Sequence, residues 1–73
     1  MNAKEWMQYG QDFVAANLVE CCRENLEWHD TGELRSGKLR EAAAIFAKVD
    51  QAHFLAIAQS ETTRQAMQMV ANQ

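Results

Sequence analysis

Seventy-three residues, 48% apolar and 23% charged, describe a chain that folds but is too short to bury a large core of its own. Three glycines and no proline argue against a turn-rich β fold, and a net charge of −3 lacks the basic excess of a sequence that neutralises many phosphates. No stretch approaches the eighteen or so consecutive apolar residues of a membrane span, and MNAKEWMQYGQDF has no basic segment leading into an apolar one, so a cytoplasmic protein with no membrane partner is expected.

The charge is unevenly spread. Residues 1–33 hold seven acids and two bases (−5), and residues 34–73 hold three acids and five bases (+2). An antiparallel pairing of the two halves is therefore favourable, and nucleic acid is a disfavoured partner.

The first helix is expected at about 3–28. Asn2 followed by Glu5 reads as a capping box. Met7, Val14, Cys21 and Trp28 recur every seven residues, with Ala3, Gly10 and Leu18 beside them, which makes one face apolar. Asp12, Glu20, Glu24 and Glu27 form an acidic face able to dock on a basic protein. Trp6, Tyr9, Phe13 and Ala16 make a second apolar stripe that one partner helix cannot cover. Cys21 and Cys22 are neighbours and cannot form an ordinary disulfide with each other, so they read as small semi-buried residues.

A turn is expected at 29–37, bracketed by Gly32 and Gly37, with Asp30 and Ser36 as candidate caps. Arg35, Lys38 and Arg40 cluster there and could hold a phosphate together with free backbone N–H groups.

From 38 to about 71 a heptad places Leu39, Phe46, His53, Ser60 and Met67 at a, and Ala42, Val49, Ala56, Thr63 and Val70 at d. The register favours one long helix. The polar QSETTRQ and a capping Ser60 make a break near residue 60 the alternative.

These elements predict a single all-α domain over 1–73: an antiparallel hairpin with a long second helix, dimerising into a four-helix bundle. A monomeric three-helix bundle, with 61–71 folded back over the aromatic stripe, is the alternative. With the turn near 33–34, opposed residues sum to about 67, which pairs Trp28 with Leu39, Cys21 with Phe46 and Val14 with His53. Glu27 then meets Arg40, Glu20 meets Lys48 and Glu5 comes near Arg64. His53 becomes a polar core or interface residue, hydrogen-bonded to Asn17 or Tyr9, whose protonation in acid should weaken the fold or dimer.

No catalytic, metal or cofactor signature is present. Cys22, His29, Asp30 and Glu33 lack metal-ligand spacing, and no cysteine has an oriented base beside it. The chain therefore reads as a non-enzymatic interaction protein without a cofactor, as a small bacterial or phage-encoded regulator or inhibitor would. It is expected to form a homodimer and bind another protein through Trp6, Tyr9, Phe13, His53, Met67 and Val70 or through the acidic face. A dimeric nucleic-acid-binding regulator using Arg35, Lys38 and Arg40 is the alternative.

Overall fold

A computed structural model describes residues 1–72, and among them the regular structure is all helical. Five helices follow in order: α1 (Ala3–Ala16), α2 (Leu18–Thr31), α3 (Lys38–Phe46), α4 (Gln51–Ala58) and α5 (Glu61–Ala71). This replaces both the hairpin and the three-helix bundle. Each expected long helix is present in segments, and each break has a local chemical cause.

The capping box forms at the start of α1. Glu5 N–H donates to Asn2 Oδ1 at 2.9 Å, and Asn2 N–H reaches Glu5 Oε1 at 3.4 Å. The helix then breaks at Asn17, whose side-chain amide donates to the Phe13 carbonyl at 2.9 Å while its own N–H is shared between the Phe13 and Val14 carbonyls. A short amide side chain offers the backbone an alternative to the helical ladder, and the axis bends there. The longest dimension of the molecule, 35 Å, is shorter than the roughly 43 Å that 29 unbroken helical residues would span.

α2 runs three residues past the expected end and stops at Gly32, whose φ of 78° is left-handed and whose N–H donates to the Trp28 carbonyl. α3 ends at Phe46. The Val49 and Asp50 N–H groups turn back onto the Phe46 carbonyl, and Asp50 then caps α4 by accepting the His53 N–H at 3.0 Å. Ser60 caps α5 through the Thr63 N–H and donates its own hydroxyl to the Ile57 carbonyl, so the break foreseen near residue 60 is built from that serine.

α2 lies at the centre, with α3 on one side and α5 on the other; α1 packs on α3, and α4 links α3 to α5. The buried apolar residues are Cys21, Cys22, Leu39, Ala42, Ala43, Phe46 and Ala58. Only two of these are large. The register also differs from the expected one: Leu39 N–H bonds Glu24, and Phe46 lies over Gly10, giving sums of 63 and 56 in place of 67. The bend at Asn17 returns α1 toward α3, so Phe46 meets an earlier turn of helix than a straight hairpin offers.

Candidate protein-docking groove

α4, QAHFLAIA, is apolar at six of its eight positions and carries no formal charge at neutral pH. A helix apolar on all sides belongs in a core. α4 instead packs against α3 and α5 and leaves Ile57 51% exposed, with Val49 exposed in the turn before it. Between α4 and α1 lies a groove of about 500 Å³ lined by Met7, Gln11, Phe46, Val49, Asp50, His53, Phe54 and Ile57. The Phe46 and Phe54 rings stack there with centroids 4.6 Å apart and planes 14° apart. Gly10 lets the Phe46 ring reach the α1 backbone, since a methyl at Gly10 would stand 2.6 Å from Phe46 Cζ.

His53 is in this groove but not in the core. It is exposed on the first turn of α4, and only its backbone N–H is held, by Asp50. The heptad that placed it opposite Val14 does not survive the turn at 47–50.

The aromatic stripe occupies the other flank of α1. At about 100° per residue, Met7 and Gln11 fall on one side of Gly10, and Trp6 and Phe13 on the other. Lys48 Nζ lies 5.7 Å from the Trp6 ring centroid and Lys38 Nζ 5.9 Å from that of Phe13, so the stripe expected to lie bare is partly roofed by lysines. Tyr9 stacks on Trp6 at 6.0 Å and remains 48% exposed. Met67 and Val70 do not join this stripe. They line a seam with Leu18 and Cys22 where α5 folds on α2, and Met69 points outward, 72% exposed.

The acidic face is divided. Asp12, Glu20 and Glu27 are exposed, but Glu24 is half-buried and accepts the Leu39 N–H at 3.0 Å. Its carboxylate occupies the N-terminus of α3, where the basic cluster would have offered free N–H groups to a phosphate. The three bases are also engaged: Arg35 with Glu27 at 3.2 Å, Lys38 with Glu41 at 3.8 Å, and Arg40 with the Ser36 hydroxyl at 3.3 Å. None of the three expected cross-helix ion pairs is among those formed; Arg64 bonds Glu61 on its own helix.

The polar residue of the core is Asn25, fully buried on α2. Its amide nitrogen donates to the Ala58 carbonyl at 3.0 Å and rests on Met67 Sδ, while Oδ1 has no protein partner. His29 Nε2 lies 3.0 Å from the same carbonyl, which as the last of α4 has no partner in its own helix. The chain thus has a core-facing histidine, but it is His29. Cys21 and Cys22 are free and buried; burial pushes the Cys21 thiol up to about 11, with Glu24 adding to the shift, and burial raises Cys22 as well.

Sequence reasoning missed Val49, Phe54 and Ile57 as groove residues. Their signal was the uncharged run QAHFLAIA, which exceeds the apolar width one helix face can bury. Among the described residues no group of three or more His, Cys, Asp or Glu side chains is placed to hold a metal ion, and no helix is long and apolar enough to cross a membrane. Comparison with protein-family models, with curated proteins and with solved structures finds no match.

Proposed function

We propose that this chain is a non-enzymatic interaction module, a regulator or inhibitor that acts by seating an uncharged apolar helix of another protein chain in the groove between α1 and α4. The observation that carries this reading is α4 itself, a helix of core composition held at the surface beside an apolar recess. The Asp50 carboxylate on the rim faces the backbone of its own helix cap, so the groove selects for apolar contact and not for charge. A nucleic-acid backbone is the poorer partner, because Glu24, Glu27 and Glu41 stand among the three bases that would receive it. Two free, buried thiols fit action in a reducing, cytoplasmic setting.

The test compares the proteins that copurify from the chain's native cells with tagged wild type and with tagged Ile57→Asp, untagged copies of the chain itself included. Partners lost with the variant, at unchanged helical circular dichroism, are the expected result. An identical set in both preparations overturns the reading.

A further inference from the structure

We infer that the occupant of the α1–α4 groove is the same face of a second copy of this chain, the two α4 helices packing across a two-fold axis. This rests on the docking reading above and names its partner.

One face carries both halves of such a contact. Ile57 protrudes, half exposed, beside a recess formed by Met7, Phe46 and Phe54. A two-fold axis between two α4 helices brings each Ile57 over the recess of the other, the self-complementary arrangement that an isologous interface requires. The chain itself presents what the groove selects for, an uncharged apolar helix.

Charge points to the same occupant. Of the groove-lining residues only Asp50 and His53 are titratable, and Asp50 is directed at its own helix cap. Laid against its own image, this face brings no cluster of like charges together. The outer side of α1 and α2, with exposed Asp12, Glu20 and Glu27, would oppose acids to acids.

Size agrees as well. A standard interface takes about 800 Å² from each partner, roughly a sixth of the 4885 Å² this chain exposes. That surface is also larger than the approximately 4,600 Å² expected for a folded monomer of this length.

Sedimentation equilibrium over a concentration series, on the full chain, tests the pairing with wild type, Ile57→Ala and Ile57→Asp. Ile57→Ala puts a good helix former at a half-exposed site, so folding is not at issue even if the aspartate variant unfolds. The expected result is a reversible wild-type dimer, weakened about tenfold or more by Ile57→Ala and abolished by Ile57→Asp. A wild type that is monomeric at every concentration, or a dimer that Ile57→Ala leaves as tight, overturns the second copy. If a monomeric wild type still loses its cellular partners on Ile57→Asp, the docking groove stands and only its occupant is wrong; if neither readout responds, both readings fall.

Discussion

At the scale of single residues, the decisive contacts are between small groups and large ones. Gly10 sits in a helix interior, where alanine would ordinarily stabilise by about 1 kcal/mol. Here the added methyl would strike the Phe46 ring, which is buried and stacked on Phe54, and overpacking costs about 1–3 kcal/mol. Gly10→Ala is therefore expected to destabilise in urea titrations by about 1 kcal/mol net, and to become stabilising in a Phe46→Leu background. A destabilisation unchanged in that background would assign the cost to something other than the ring. The two thiols make a second prediction. With the Cys21 pKa raised from 9.0 in the open chain to about 11 in the fold, the unfolded chain loses that proton first as pH rises. The contribution to stability is complete below pH 9 and lost between pH 9 and about 11. Replacing both cysteines by alanine should flatten the urea midpoint across that window.

At the scale of elements, three side chains divide what the heptad pattern reads as two long helices. Asp50 and Ser60 each hold the first turn of a helix through one N–H, and their alanine substitutions should each cost about 1 kcal/mol by chemical denaturation. Glu24 does the same work from a distance, across 15 residues of chain. Glu24→Ala leaves the Leu39 N–H without its acceptor and should cost about 1–2 kcal/mol, whereas Glu24→Gln keeps an acceptor and should cost less. Equal losses in the two variants would show that packing, and not the hydrogen bond, matters there. The caps at Asn2 and Ser60 were legible because capping is local chemistry written within four residues. The breaks at Asn17 and at 47–50 were not, because the apolar seven-residue spacing passes through both. A pattern of side chains is silent about a backbone that leaves the helix between two in-phase positions. His53 shows the result: sound heptad arithmetic put it in the core, and the turn before it put it outside. The core contact of His29 was missed because its partner is a backbone carbonyl, and a carbonyl has no letter in a sequence.

At the scale of the whole molecule, the question is how a chain this small remains folded. An unfolded chain of this length exposes about 12,000 Å² and the fold still exposes 4885 Å², so about 60% is buried, the range in which isolated domains are marginal. If the second copy supplies the remainder, the melting temperature is linked to concentration by mass action. Wild type should melt at rising temperature as it is concentrated, and Ile57→Asp should not. Concentration-independent melting of wild type would return the entire stability to the single chain. The electrostatics give little at this scale, since the three ion pairs among the described residues are solvent-exposed and screened by water and salt.

The Ala58 carbonyl, held by both Asn25 and His29, leads to an expected order of events in time. Those two bonds span 33 and 29 residues, while the bond from Leu39 to Glu24 spans 15. Closing the shorter loop comes at a slightly lower entropic cost, so α2 is expected to engage α3 before it engages α4 and α5. Until then a polar amide and an imidazole stand on an otherwise apolar surface. In a chain folded only that far they would leave polar groups on the flank it later hides, and offer the end of α4 its two hydrogen bonds there.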